Sequence, residues 1–422
     1  MPDVLSIRTA LDKEFRPTRG DFLQTLMIEL SPGRGMRTLP LNLGILLDVS
    51  SSMQGPKLEN AKKACILLLQ QLTIKDRATV CTFSSGARTV VSPQLFDESV
   101  QVASCKSVEG LRCNGATELL AGLEQIYQEI TPHRSSEVTS YVILLSDGEP
   151  TDSQGYIDDQ YPKFLERAAK EFKDSGVSLS TIGLGSAADF NAGFLRDLAD
   201  GASGQFLLAQ KPEELEKAFQ EEFGRIRSTV LSEATIEINR LNGSVRRFWR
   251  VVPDKKMFDA PKENNGTITL PVGAVQLDQP QAYLADIVTR APDEPVDRGL
   301  LCQVAAVTES ESGQERSEVN VLISYSDNEV ELSQRNDEVI RLLQEANDYK
   351  LQLDLESAAK SGDRRKMTGI LERKKKMTQR LGKTSATKVL ENMEDTLESG
   401  GHISPDDLAV SSIETKKTKR LA

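Results

Sequence analysis

The stretch LNLGILLDVSSSMQGPK, residues 41–57, ends an apolar run on one carboxylate and a cluster of hydroxyls. Asp48 directly follows the apolar residues, and Ser50 and Ser52 come next at alternate positions. Thr117 lies in a glycine-containing loop before a helical pattern, and Asp147 follows another apolar run, in VILLSDGEPTD. Two carboxylates and three hydroxyls are hard oxygen ligands of the kind that Mg²⁺ or Mn²⁺ prefers. The five residues therefore predict a divalent metal site, provided that the fold brings them together.

The elements that would position these residues are short strands alternating with helices between residues 40 and about 226. The predicted strands are apolar throughout and bounded by turn residues: 42–47, 77–83, 139–145, 177–184 and 204–209. Helical periods separate them, which is typical of a parallel sheet covered on both faces. In such a sheet, ligand-binding residues gather at the carboxyl ends of the strands. Asp48 and Asp147 both follow strand ends, so we expect them at one edge of the sheet.

The flanking segments have a different pattern. Residues 1–38 hold two alternating strand candidates, and residues 228–327 read as strands without helices, which indicates an antiparallel β-sandwich. We expect the N-terminal strands to complete this sandwich, with an α/β domain over 39–227 set between its halves. The predicted fold class is α/β, a doubly wound, mostly parallel Rossmann-like sheet plus a β-sandwich and a C-terminal helical segment.

The last hundred residues are highly charged. Residues 328–398 predict a helical hairpin with a break at 361–363, and residues 399–422 predict a flexible tail. Ser411, Ser412, Thr415 and Thr418 lie beside lysines in this tail, so Thr415 or Thr418 could be a phosphorylation site.

The residues 360–383 are strongly basic, with ten Lys or Arg against two acidic side chains, a local charge of +8. Nucleic-acid binding is one interpretation. The segment also carries an apolar stripe and has no aromatic residue for base stacking, which favours a helix packed on the acidic remainder of the chain. The whole chain carries a formal charge of −11, which argues against a general binder of nucleic acid or anionic membranes.

The spacing D-x-S-x-S after a strand, a Thr in a Gly-x-Thr loop and an Asp-Gly after a buried strand resemble the metal-ion-dependent adhesion site of the von Willebrand factor A (VWA) domain. The resemblance covers roughly residues 40–226 and maps onto Asp48, Ser50, Ser52, Thr117 and Asp147. It implies that the serines bind the metal directly, that the threonine binds directly or through water, and that the aspartates act through waters or orient the serines.

Neutral direct ligands leave the ion positive on its open side, where the resemblance implies an Asp or Glu from a partner protein. The layout also resembles bacterial VWA proteins distantly similar to inter-α-trypsin inhibitor heavy chains. The expected function is therefore a metal-dependent protein-binding scaffold without catalytic activity, in intracellular assembly or signalling.

Two alternatives compete with this interpretation. Asp48 and the serines could merely cap the next helix, although this leaves Thr117 and Asp147 unexplained. The chain could instead be a metal-assisted hydrolase using the same ion, which would need a general base nearby. Its two histidines, His133 and His402, have no sequence context that places them at the site, and no G-x-S-x-G elbow or phosphate-binding loop is present.

The location of the chain is predicted from what its sequence lacks. It begins without the basic and apolar regions of a signal peptide, and it has no apolar run long enough to span a bilayer. Its five cysteines are scattered and form no C-x-x-C pair, which indicates neither a disulfide framework nor a zinc site. These features predict a cytoplasmic protein.

Overall fold

The structure is a computed structural model of the 422-residue chain. It describes residues 4–147, 150–152, 154, 156, 161–185, 192–258, 263–277, 279–310 and 313–416. The chain divides into two compact units. Unit 1 consists of Met1–Met36 and Glu233–Ala422, and unit 2 consists of Arg37–Ser232.

The strands are, in chain order, β1 (Leu5–Leu11), β2 (Phe15–Arg16), β3 (Asp21–Pro32), β4 (Leu41–Asp48), β5 (Arg77–Phe83), β6 (Ala87–Leu95), β7 (Thr139–Ser146), β8 (Ser178–Leu184), β9 (Ser203–Ala209), β10 (Thr229–Asn239), β11 (Ser244–Val252), β12 (Lys256–Met257), β13 (Glu263–Asn264), β14 (Thr267–Gln276), β15 (Gln281–Arg290), β16 (Val296–Ser310) and β17 (Gly313–Tyr325). The α-helices are α1 (Pro56–Leu69), α2 (Glu98–Glu109), α3 (Leu119–Ile130), α4 (Tyr161–Asp174), α5 (Ala192–Gly201), α6 (Leu215–Arg227), α7 (Glu329–Ser333), α8 (Asp337–Lys360), α9 (Arg364–Arg380), α10 (Thr384–Glu398) and α11 (Pro405–Lys416).

Unit 2 is built on a mostly parallel sheet with the strand order β6-β5-β4-β7-β8-β9. Every neighbouring pair is parallel except β5 with β6, which is antiparallel at the edge of the sheet. All five strands predicted for this region are present, and the predicted fold class is confirmed. The edge strand β6 and the helices α2 and α5 were missing from the prediction.

The central strand β4 is buried along its whole length because helices cover both of its faces. Leu43, Ile45 and Leu47 belong to one apolar core with residues of α1 and α6. On the other face, a Cβ at Gly44 would lie 3.1 Å from Ile126 of α3, so the glycine lets this helix approach the strand closely. The alternation of side chains along β4 thus fixes which helices lie on each face.

The strand order reverses direction at β4. From β4 the chain continues to β5 on one side, whereas β7 pairs with the other side of β4. Such a topological switch point leaves a crevice at the carboxyl ends of the two strands, and ligands bind there in open α/β sheets. The residues that follow β4 and β7 therefore occupy the position where this fold binds its ligands.

Unit 1 contains two antiparallel sheets, and the N-terminal strands contribute to both. One has the order β1-β3-β15-β11-β12 and the other the order β13-β14-β10-β16-β17-β2. β3 pairs with β15 from Asp21 to Leu30, and the short strand β2 pairs with β17 in parallel. The sheets contact each other through β1 and β17. The first 36 residues of the chain therefore share sheets with strands formed after residue 233.

The C-terminal part of unit 1 has more helices than the sequence predicts. The break predicted at 361–363 separates α8 from α9, but a second break after Arg380 begins α10, so the predicted two-helix hairpin is wrong. The predicted flexible tail is also wrong over Pro405–Lys416, which form α11. An apolar core joins α8, α9 and α10, and Leu408 of α11 packs against it.

The basic helix α9 buries one of its charges in this bundle. Lys374 contacts Asp348 of α8 at 2.8 Å and donates at 2.8 Å to the hydroxyl of Thr415. Lys383, just after α9, contacts Glu345 at 2.6 Å and Asp348 at 3.0 Å. Lys255 completes the cluster, with Glu345 at 2.8 Å, and burial lowers its pKa to about 8. Acidic side chains of α8 therefore neutralise the buried part of the basic segment.

This arrangement bears on the predicted phosphorylation site. The Thr415 side chain is buried, donates to the Ser411 carbonyl at 2.6 Å and accepts from Lys374, so a kinase could not reach it in this fold. The other predicted acceptor, Thr418, lies outside the described residues.

In the described part of the chain, no α-helix is long and apolar enough to cross a lipid bilayer.

The pairing of β3 leads to a test of unit 1. Leu26 is fully buried in β3, whereas Leu23 in the same strand is 47% exposed. We expect Leu26→Ala to lower the free energy of unfolding of this unit by about 2–5 kcal/mol, since it leaves a cavity in a packed core. Leu23→Ala should cost less than about 1 kcal/mol. Hydrogen exchange at the amides of β15, which pair with β3, measures the difference. Equal effects of the two substitutions would show that β3 does not support this sheet.

Candidate metal site

The two aspartates of the predicted site lie at the ends of neighbouring strands. Asp48 is the last residue of β4, and Asp147 directly follows β7. The parallel register pairs Leu47 with Leu145, so both strands end at the same level of the sheet. The side chains of Asp48 and Asp147 are buried. The fold therefore brings two carboxylates into one crevice that water reaches poorly.

The Asp48 carboxylate is held by two hydrogen bonds. One oxygen, Oδ1, accepts from the backbone N–H of Ser50 at 2.8 Å, and Oδ2 accepts from the hydroxyl of Ser146 at 2.7 Å. Burial raises the pKa of Asp48 to about 6, although these hydrogen bonds act in the opposite direction. The Asp48 carboxylate is consequently held in one orientation, and a nearby positive charge would stabilise its ionised form.

A chain of hydroxyls connects the two strand ends. The oxygens of Ser50 and Ser52 lie 3.0 Å apart, and Ser52 donates to Oδ1 of Asp147 at 2.7 Å. Ser51, between them in sequence, is turned away and donates to the carbonyl of Gly115 at 3.0 Å. The alternate spacing of the two serines thus puts their oxygens on the side of the carboxylates.

Lys57 supplies a positive charge that the sequence-based prediction did not include. Its ammonium lies 2.5 Å from Oδ2 of Asp147, the oxygen that Ser52 leaves free. The Asp147 side chain is fully buried, whereas that of Lys57 is 32% exposed. The Lys57 ammonium is therefore in contact with a predicted metal ligand, and it reaches Asp147 from the solvent-accessible side.

The loop that carries Thr117 is fastened to the segment after β4. Asn114 donates its N–H to the carbonyl of Val49 at 2.8 Å, and Ser51 donates its N–H to Gly115 at 3.1 Å. Thr117 exchanges two hydrogen bonds with Thr151: its N–H donates to the Thr151 hydroxyl, and its carbonyl accepts from the Thr151 N–H. The backbone thus holds Thr117 between the loops that follow β4 and β7.

The donor set fits a hard divalent cation better than a metal that prefers thiolate or imidazole ligands. Within the described ranges, no group of three or more His, Cys, Asp or Glu side chains could hold a metal. The candidate site has two carboxylates and relies on hydroxyls for its other protein ligands. Such a set suits Mg²⁺ or Mn²⁺ bound with several waters. The ammonium of Lys57 against Asp147 shows independently that a cation is stabilised at this carboxylate.

Several other residues near the site have structural roles. Asp152 accepts hydrogen bonds from the N–H groups of Gln154 and Tyr156, so its carboxylate shapes its own loop. Glu149, a neighbouring acidic residue, lies outside the described residues. His133 precedes β7, whereas Asp147 follows it, and His402 belongs to unit 1. The structure therefore places His133 at the opposite end of β7 from Asp147.

Ser146 and Lys57 are the residues that sequence reasoning missed. Ser146 has a sequence signal, because it ends the apolar run directly before Asp147. Lys57 has a weaker one: it is a basic residue in the first turn of a helix, where acidic residues are favoured.

Solved structures share the fold of this chain. A protein described as von Willebrand factor type A from Catenulispora acidiphila aligns with a TM-score of 0.82 over 100% of this chain and 98% of its own, at 19% identity. The ArnB paralog VWA2 from Sulfolobus acidocaldarius aligns with a TM-score of 0.61 over 98% of each chain, at 16% identity. At such identities the likeness concerns the fold.

The sequence itself matches the model of one family, described as von Willebrand factor type A domain, over residues 42–221. This region is a VWA domain. The resemblance found in the sequence is confirmed at this level, and VWA domains commonly mediate protein–protein interactions. The occupancy of its metal site stays a prediction.

Curated relatives share the VWA domain and part of its surroundings. The Synechocystis protein sll0103 is 28% identical over 256 residues, which are 60% of this chain and 58% of that protein. Human inter-alpha-trypsin inhibitor heavy chain H4 is 25% identical over 210 residues, which are 48% of this chain and 22% of that protein. The matched region thus spans less than two thirds of either relative.

The loop before Thr117 leads to a test of how the VWA domain positions its site. Gly115 has φ +75°, and a Cβ there would lie 2.6 Å from the Ser85 hydroxyl. We expect Gly115→Ala to lower the free energy of unfolding by more than about 1 kcal/mol, because both the backbone conformation and the space favour glycine. Gly110→Ala is the control, since Gly110 has φ −71° and a Cβ there would make only ordinary van der Waals contacts. Urea denaturation followed by circular dichroism compares them, and equal midpoints would contradict the assigned role of Gly115.

Proposed function

We propose that the chain is a protein-binding scaffold whose VWA domain uses a Mg²⁺ or Mn²⁺ ion to hold a carboxylate of a partner protein. The observation that carries the proposal is the hydrogen-bonded chain from Asp48 through Ser50 and Ser52 to Asp147 at the switch point of the sheet. It brings the predicted ligands from two strand ends into contact before any ion is considered. A bound ion would supply a positive centre that attracts an anionic ligand.

The residues divide into two groups in this proposal. Ser50, Ser52 and Thr117 would offer neutral oxygens to the ion, directly or through water. Asp48 and Asp147 would orient the serines, since Asp48 accepts a hydrogen bond from the N–H of Ser50 and Asp147 accepts one from the hydroxyl of Ser52. Because hydroxyls do not neutralise the ion, its open side would favour an Asp or Glu side chain. Assembly or signalling inside the cell stays a prediction from the sequence.

The three consecutive serines give a test of metal binding with an internal control. We expect Ser50→Ala and Ser52→Ala each to weaken Mg²⁺ and Mn²⁺ binding about tenfold or more, the equivalent of about 1.4 kcal/mol for one lost ligand. Ser51→Ala should bind like the wild type, because its hydroxyl donates to Gly115. Isothermal titration calorimetry measures the affinities, and circular dichroism checks that each variant is folded. A wild-type chain that binds neither ion at millimolar concentration would refute the metal site.

The partner is testable through its dependence on the ion. We expect immobilised chain to capture a protein from lysate of its source in the presence of Mg²⁺, and to release it when EDTA is added. The captured protein should be retained by Ser51→Ala and lost with Ser50→Ala, because one charge-assisted contact to the ion anchors the complex. Mutation of acidic residues on the captured protein should have the same effect as EDTA. Capture that is unchanged by EDTA and by Ser50→Ala would assign binding to another surface.

A further inference from the structure

Lys57 occupies a position that the helix itself disfavours. It is the second residue of α1, where the first backbone N–H groups carry partial positive charge and repel a cation. Glu59, the acidic residue of the same turn, contacts Lys62 instead, at 3.0 Å. The ion pair between Lys57 and Asp147, at 2.5 Å, therefore offsets the unfavourable position of Lys57 at the helix N-terminus. This pair crosses from the segment after β4 to the end of β7, within the crevice of the metal site.

We propose that Lys57 is a built-in competitor of the metal ion: its ammonium neutralises Asp147 while the site is empty, and it leaves this carboxylate when a divalent ion binds. The inference rests on the proposed function, because it takes the ion to bind beside Asp48 and Asp147. It assigns Lys57 a role in setting the affinity of the site for the ion.

The charge of the buried groups supports an exchange of cations. Asp48 and Asp147 carry two negative charges, of which Lys57 neutralises one. A divalent ion alone neutralises both. The ion and the ammonium together would leave one excess positive charge against two poorly hydrated carboxylates, and burying an unbalanced charge is costly. Each cation is therefore held more strongly when the other is away from the carboxylates.

The geometry allows this exchange without a change of fold. The Lys57 side chain is 32% exposed and ends on a flexible four-carbon stem, so its ammonium can turn into water while α1 stays in place. Asp147 would keep its hydrogen bond from Ser52 throughout. The released ammonium would remain at the rim of the site, where it adds to the attraction for a partner carboxylate.

The test compares Lys57→Gln with two controls. Lys57→Arg keeps the positive charge, and Lys63→Gln removes an exposed charge from the same helix. Mg²⁺ and Mn²⁺ alone are titrated into each protein by calorimetry, and melting temperatures are measured with and without the ions. We expect Lys57→Gln to lower the Kd for both ions about tenfold or more. Without ions it should melt at a lower temperature than the wild type, because Asp147 has lost its countercharge, and saturating Mg²⁺ should remove this deficit. Lys57→Arg and Lys63→Gln should bind like the wild type.

The outcomes separate this inference from the proposed function. If the wild type binds neither ion, both fail. If the wild type binds and Lys57→Gln binds equally or more weakly, the ion pair is only structural and the competitor role is overturned. A gain of affinity in Lys57→Arg would overturn it too, because the charge would not be the cause. If Lys57→Gln folds only with Mg²⁺, the rate at which it releases the ion to EDTA is measured instead. A release rate that is not slower than that of the wild type overturns the proposal.

Discussion

The burial of two carboxylates at the ends of β4 and β7 is the constraint on which the rest of the VWA domain depends. An ionised carboxylate removed from water needs hydrogen bonds and a countercharge. The sheet places Asp48 and Asp147 at the same level, and the residues around them supply hydrogen bonds and a countercharge. Ser146 and the Ser50 N–H satisfy one carboxylate, while Ser52 and Lys57 satisfy the other. The loops that follow the strands are consequently ordered around negative charge, and the proposal of a divalent ion at this site rests on that order.

The C-terminal bundle of unit 1 shows the same requirement with the opposite sign. There buried lysines need countercharge, and acidic side chains of α8 supply it. Thr415 of α11 accepts from Lys374 through its hydroxyl and from Lys255 through its carbonyl. Ionic contacts of this kind contribute little net stability compared with apolar packing, but removing one partner is costly. The cluster therefore specifies where α11 docks more than it strengthens the bundle.

Sequence reasoning succeeded where one physical signal dominated. The parallel strands of unit 2 are buried and mostly apolar, and Asp48 and Asp147 lie, as expected, at one edge of their sheet. It failed where the signal was mixed or distant. The edge strand β6 is half exposed and contains a proline, so its pattern is weak. Helix α11 turns hydroxyls as well as apolar side chains inward, so its sequence resembles a solvated tail. The partner of Lys57 is 90 positions away, and the sequence holds no local sign of that pairing.

The split of unit 1 around unit 2 has a consequence for the newly made chain. Translation delivers β3 early, yet its partner β15 is synthesised roughly 250 residues later, tens of seconds at about 5–20 residues per second. Unit 2 is complete on the ribosome before that, whereas β3, although β1 pairs with one of its edges, has no partner yet for the other. An open edge on an apolar strand invites aggregation, so the nascent chain is exposed to this risk until β15 is made. Strand β3 is thus made long before the strand that completes its pairing in the sheet.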